Sequence, residues 1–152
     1  MILRSKEEDD GKSTSPVKFS SFEVFSGHVW RCACKARELA NDQETSFHFL
    51  VNGRNRLQPP LPTDYFGNVV FRATATAMAE DLISRPLSYA ASCIHNAVVR
   101  MDDDYLRSEL DYLELQQHHL DLTSLPHGTH IRCPNLGLTS WLQLSLNDAD
   151  FG

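Results

Sequence analysis

The residues with the clearest chemical potential are Arg54 and Arg56, in Asn52-Gly53-Arg54-Asn55-Arg56-Leu57. They lie between a strand-like run and the brace Pro59-Pro60-Leu61-Pro62. Prolines at that density exclude helix and central strand, so the loop is stiff. A guanidinium makes paired hydrogen bonds to a phosphate or a carboxylate. Two arginines on a stiff loop are therefore a candidate anion site, with simple solvation as the plain alternative.

Seven histidines, at 28, 48, 95, 118, 119, 127 and 130, are the candidates for a general base. His28 lies near the apolar stripe of the first expected helix and reads as a satisfied, half-buried side chain, as does His95. His118 and His119 follow a helix end and read as solvated or capping. Asp102-Asp103-Asp104 suggests a Mg²⁺ cluster, but acidic side chains at a helix start meet free N–H groups. Cys32-Ala33-Cys34 could join Cys133 or His118-His119 around a metal, yet the pair lacks zinc spacing and a matching second pair. The four cysteines read as reduced, mostly buried thiols, with no metal. There is no glycine-rich phosphate loop, no Gly-x-Ser-x-Gly elbow and no His-Glu-x-x-His. Spacing alone assigns no activity.

The elements that must position these groups follow from periodicity. Residues 1–18 are polar and read as a lead-in. Ser20 and Glu23 form a capping box, and Phe22, Phe25, Val29, Cys32 and Ala36 follow at helical spacing, widened by Val24 and Trp30. Lys35 and Arg37 fall in the last turn, where cations suit the helix dipole. Strands are expected over 46–51 and 68–74. A helical region begins near Met78, and Pro86 opens a helix at its first position, with Leu87, Ala90, Ala91, Ile94, Val98 and Met101 buried. Another helix runs over 103–115. Residues 129–146 are strand-like and interrupted. The expectation is an α/β chain of three or four strands and three helices, with a mixed sheet because long crossovers separate the strands.

With 152 residues, 41% hydrophobic and 22% charged, the chain has the bulk of one globular domain. A net charge of −6 disfavours nucleic acid as partner. No apolar run approaches the roughly 20 residues of a membrane helix, and the N-terminus lacks the apolar core of a signal peptide. The default location is the cytosol.

Several blocks together resemble the BAHD acyl-CoA-dependent acyltransferases, most closely the hydroxycinnamoyl-CoA:shikimate/quinate hydroxycinnamoyltransferases. They are Gly27-His28-Val29-Trp30-Arg31-Cys32, the Arg54-Asn55-Arg56 segment, Pro59-Pro60-Leu61-Pro62 with Tyr65-Phe66-Gly67-Asn68, Met101 to Leu106, Cys133 to Trp141, and Asp150-Phe151-Gly152. The resemblance runs from about Phe19 to Gly152. It implies one incomplete domain, over 19–152, of the two-domain chloramphenicol acetyltransferase-like fold. The family's closing motif reads Asp-Phe-Gly-Trp-Gly, of which the sequence carries the first three residues. The family's general base lies in a His-x-x-x-Asp motif of the first domain, and no histidine here has an aspartate four positions on; His118-His119-Leu120-Asp121 has the wrong spacing. The resemblance thus implies no catalytic residue in this chain and no turnover by it alone.

What the resemblance carries over is the second-domain share of the site. Acyl-CoA is the co-substrate, a small-molecule acceptor the second partner, and family members resemble monomers. Asp150 pairs with Arg54 or Arg56 near the CoA channel, with Phe151 and Gly152 completing the motif. Lys35 and Arg37 face the CoA phosphates. Thr139 and Trp141 shape the acceptor pocket. Shikimate-using members carry an arginine before the Cys-Pro-Asn segment; here His127 is nearest, which leaves amines and other alcohols open. Two competing readings stand beside this one: a non-catalytic module that binds CoA or a partner, and a gene fragment without a role.

Overall fold

A computed structural model describes residues 17–62, 64–116 and 131–140. Their order is α1 (Ser21–Ala36), β1 (Glu44–Asn52), β2 (Val70–Met78), α2 (Ala79–Ser84), α3 (Leu87–Val99), α4 (Asp103–Gln116) and β3 (Leu136–Leu138). The strands form one mixed sheet, β2-β1-β3. β1 and β2 are antiparallel from Glu44↔Met78 to Asn52↔Val70, while β1 and β3 are parallel with Phe47↔Leu136 and Phe49↔Leu138. A mixed sheet with flanking helices is thus the observed fold class. The expected count differs: the described residues contain four helices, because α2 and α3 are separate. Pro86 is the N-cap of α3, one position before the first helical residue.

Alternation in the strands sorts the sheet into two faces. Thr45, Phe47, Phe49 and Val51 of β1 point inward, beside Phe71, Ala73, Ala75 and Ala77 of β2. The alanines leave room for α3 to settle on β2 with Ala90, Ile94 and Ala97. Trp30 of α1 packs on Phe47, ring centroids 5.6 Å apart, and is fully buried. The opposite face carries Ser46, His48, Leu50, Arg72, Thr74 and Thr76, none of them buried.

The capping box of α1 is present: Glu23 N–H donates to Ser20 Oγ at 3.3 Å and Ser20 N–H to Glu23 Oε2 at 2.6 Å. The buried face of α1 is not the expected stripe. Phe25 is 60% exposed and Cys32 and Ala36 are exposed, whereas Glu23, Val24, Ser26, Gly27, Trp30 and Cys34 are buried. The cause is a helix–helix crossing. A Cβ on Gly27 would lie 3.0 Å from Ala91 N and 3.2 Å from the Ala90 carbonyl carbon, so α1 and α3 touch through small residues. Buried Glu23 also serves this crossing, because its Oε1 meets His95 Nδ1 at 2.9 Å. His28 is exposed, not half-buried, and its Nε2 lies 3.5 Å from Cys32 Sγ. All four thiols are free, as expected, but Cys32 and Cys133 are exposed, Cys93 is half-buried and Cys34 alone is buried.

Gly27→Ala pushes a methyl group into the α3 backbone, which cannot give as a side chain would. The expected loss is about 1–3 kcal/mol, the usual cost of overpacking. Equilibrium urea unfolding checks it; a midpoint equal to wild type would contradict the close crossing.

Candidate functional site

The site is built where three segments converge at the start of β1. Thr45 is fully buried on the apolar face, and its hydroxyl has two partners. It accepts from the Trp30 indole N–H at 3.2 Å and donates to the Pro134 carbonyl at 2.8 Å. Ser46 N–H donates to Asn135 Oδ1 at 2.9 Å, and Asn135 N–H closes a turn on Arg132 O at 2.7 Å. Arg37, one residue past α1, donates to Asn135 O at 3.0 Å. The Cys133-Pro134-Asn135 segment is therefore stapled to α1 and β1 before β3 begins.

The staple aims β3. Leu136 and Leu138 turn toward the core and pair with Phe47 and Phe49, while Gly137 sits beside His48 on the outer face. A Cβ at Gly137 would meet the end of the exposed Ile131 side chain, which would have to move aside. Thr139 follows the last paired residue of β3, and Leu50 of β1 pairs with Arg72 of β2. These residues line a groove of about 670 Å³ with His48, and α4 supplies Glu109 and Leu113 from its far side.

His48 Nδ1 lies 2.9 Å from Thr74 Oγ1, its cross-strand partner. Burial first, and the Arg72 guanidinium second, push its imidazole below the ordinary value. Burial also raises the Cys34 thiol, partly offset by Arg37. Sequence reasoning counted His48 among the histidines but gave it no place, and missed Arg72 and Glu109. The available signal was strand parity, which puts His48 and Arg72 on the polar face once β1 and β2 are paired.

Lys35 is exposed at the end of α1, and Arg37 is bound to the Asn135 carbonyl there. Arg54 donates to Gly67 O across the proline-rich loop. Arg56 donates to Val98 O at 3.0 Å and Met101 O at 2.9 Å, holding the end of α3. The structure brings Thr139 to the groove, while Arg54 and Arg56 brace the loop after β1. Trp141, His127, Asp150, Phe151 and Gly152 lie outside the described residues. Asp102 caps the start of α4, accepting from Tyr105 N–H at 2.9 Å, and Asp103 accepts from Gln58 N–H and the Arg107 guanidinium, rather than clustering for a cation. No helix among the described residues is long and apolar enough to cross a membrane.

Two outcomes follow from this geometry. Thr45→Val leaves the Trp30 N–H and the Pro134 carbonyl unpaired and costs about 1–3 kcal/mol; urea unfolding reads it, and a neutral substitution would contradict the staple. For His48, the neutral form is favoured in the folded chain, so the unfolded chain binds more protons below the ordinary midpoint. The His48 contribution is intact above about pH 6.5 and weakens as pH falls below that. An NMR titration should put the His48 midpoint under the ordinary value and move it upward in Arg72→Met. No movement in that variant would separate the two side chains.

The family model described as "Transferase family" matches residues 2–152. The shikimate O-hydroxycinnamoyltransferase of Nicotiana tabacum is 54% identical over 151 residues, 99% of this chain and 33% of that protein. The hydroxycinnamoyl-CoA:5-hydroxyanthranilate N-hydroxycinnamoyltransferase of Avena sativa is 51% identical over 136 residues, 89% of this chain and 30% of that protein. The chain thus spans about a third of the length of these relatives. Among solved structures, TRI101 of F. sporotrichioides, complexed with coenzyme A and T-2, superposes with a TM-score of 0.74 over 90% of this chain and 31% of that one, at 21% identity. Vinorine synthase gives 0.60 over 88% of this chain and 30% of that one, also at 21% identity. The chain belongs to the Transferase family, the BAHD acyltransferases.

Proposed function

We propose that this chain contributes the second-domain share of a hydroxycinnamoyl-CoA-dependent acyltransferase site. The observation that carries the reading is a coincidence of place: Thr139, the residue that the family resemblance puts at the acceptor, lines the outer-face groove that the staple aims. Residues 19–152 are then the greater part of the second domain, after the lead-in 1–18. In the reaction, an acceptor hydroxyl or amine attacks the thioester carbonyl of the acyl-CoA. Its proton goes to a base, the new ester or amide bond forms, and the CoA thiolate leaves. The chain has no His-x-x-x-Asp, so it supplies walls and hydrogen bonds rather than the base. The Thr139 hydroxyl orients the acceptor, with Trp141 and His127 as further contacts. The reading takes the cytosol as its setting and a monomer as its form.

The cations divide by their bonds. Arg37, Arg54 and Arg56 already hold backbone carbonyls, yet each guanidinium has five N–H donors and keeps some for an anion. The Lys35 ammonium makes no hydrogen bond or ion pair among the described residues and is the freest to meet a CoA phosphate. Asp150 is the proposed partner of Arg54 or Arg56.

Calorimetry with CoA tests the reading on the chain as it stands. Binding is expected, weakened several-fold in Lys35→Ala, with the difference shrinking as salt screens the contact. No heat from a folded chain would sink the proposal.

A further inference from the structure

The row of outer-face residues at the mouth of the groove has a charge that the proposed chemistry has not used. Arg72 of β2 pairs with Leu50 of β1, and Leu50, Arg72 and Thr139 all line the groove. The sheet order is β2-β1-β3 and strands lie about 4.8 Å apart, so the groove that Arg72 and Thr139 line is about two strand spacings across. That span suits a small ring. Arg72 is exposed and lines the groove, and its guanidinium makes no hydrogen bond or ion pair among the described residues. It is a guanidinium on a strand of a rigid sheet, which holds a planar partner better than a loop would.

The other walls give the ligand its second half. Glu109 of α4 also lines the groove, and its Oε2 is buried without a hydrogen-bond donor. No ion pair joins it to Arg72 among the described residues. A buried carboxylate oxygen with no donor is costly, and a ligand N–H or O–H would relieve it. His48 faces Thr74 through Nδ1, and its depressed basicity leaves Arg72 as the cation at this spot near neutral pH. Leu50 and Leu113 provide the apolar floor and wall.

We infer that Arg72 is a specificity-determining residue that binds the carboxylate of a small hydroxy- or amino-carboxylic acid acceptor, whose hydroxyl or amine reaches Thr139 and Glu109. The inference rests on the acyltransferase reading for the word acceptor, and on the groove itself for the chemistry. It explains how a chain without an arginine in the stretch 125–130 can still choose an anionic acceptor: the charge comes from the opposite side of the groove, on β2.

The test titrates the chain with shikimate and with its methyl ester, which has the same ring and no charge. Amide shifts of Gly137, Leu138 and Thr139, and the Arg72 Nε–H signal, report binding. Shikimate is expected to bind about tenfold more tightly than the ester, the scale of one charged hydrogen-bonded contact. Arg72→Met should erase that preference by weakening shikimate alone, and Arg72→Lys should restore part of it. Arg72 is on the outer face, so unchanged amide signals for Trp30 and Phe47 confirm that the variant is folded. A preference for shikimate that survives Arg72→Met overturns the inference, as does shikimate binding no better than the ester in the wild-type chain. CoA binding is measured on the same samples. Its absence in the wild-type chain counts against the acyltransferase reading, while the shikimate-to-ester ratio still decides the role of Arg72.

Discussion

One buried hydroxyl determines where everything else sits. Thr45 lies in an apolar layer beside Trp30, where an unpaired hydroxyl would be expensive. It is fully used, accepting from the Trp30 indole and donating to the Pro134 carbonyl. Helix α1, strand β1 and the segment before β3 are thereby fixed to one point. A valine would fill the same space and pack against the same rings, but would leave both partners unpaired. The β1–β3 pairing is only three residues long, too short to set its own register firmly. The staple at Pro134 and Asn135 supplies that register, and with it the face on which Thr139 emerges.

That register divides labour between the faces of the sheet. Inward, aromatic residues on β1 and alanines on β2 accept the helices at close range. Outward, the same strands present hydroxyls, an imidazole and a guanidinium. A slip of one residue would exchange the faces, burying Arg72 and exposing Phe47 and Phe49. The polar groove and the apolar core are therefore two readings of one register. The price of the outer face is paid in partial desolvation of His48, which its bond to Thr74 offsets.

How much of this was legible in the sequence depended on the range of the contact involved. The run Ser46 to Val51 predicted the strand, because strand propensity and alternation are local. The stripe on α3 was legible for the same reason, and Ala90, Ala91 and Ile94 are buried. Helix α1 misled because its buried side meets another helix. Close crossing selects Gly27 and Ser26, and apolar counting instead favours Phe25 and Cys32. The capping box was readable, but not the second duty of Glu23 toward His95, which is 72 positions away. The groove was hidden because Arg72 and Thr139 share a face only after two strand pairings of opposite sense are made. The resemblance supplied Thr139; it could not supply Arg72.

The arginines also show why a motif need not place its charge where it points. Arg54 and Arg56 were read as an anion site on a stiff loop, and the loop is stiff partly because these side chains brace it. Arg56 reaches the carbonyls of Val98 and Met101 at the end of α3, where the helix leaves acceptors unpaired and its dipole is negative. Arg54 closes the loop on Gly67. A cation committed to carbonyls is held at a fixed angle, so any anion it meets must approach along its remaining N–H bonds. Such a site is narrow in geometry and tolerant of salt, because its position is set by packing. Arg72 has the opposite character: its sheet-face position is fixed, but its exposed head group holds no hydrogen bond or ion pair among the described residues, so it can follow the plane of a carboxylate entering the groove. The fixed pair suits a structural carboxylate from the chain itself, and the free one suits a ligand that must arrive and leave.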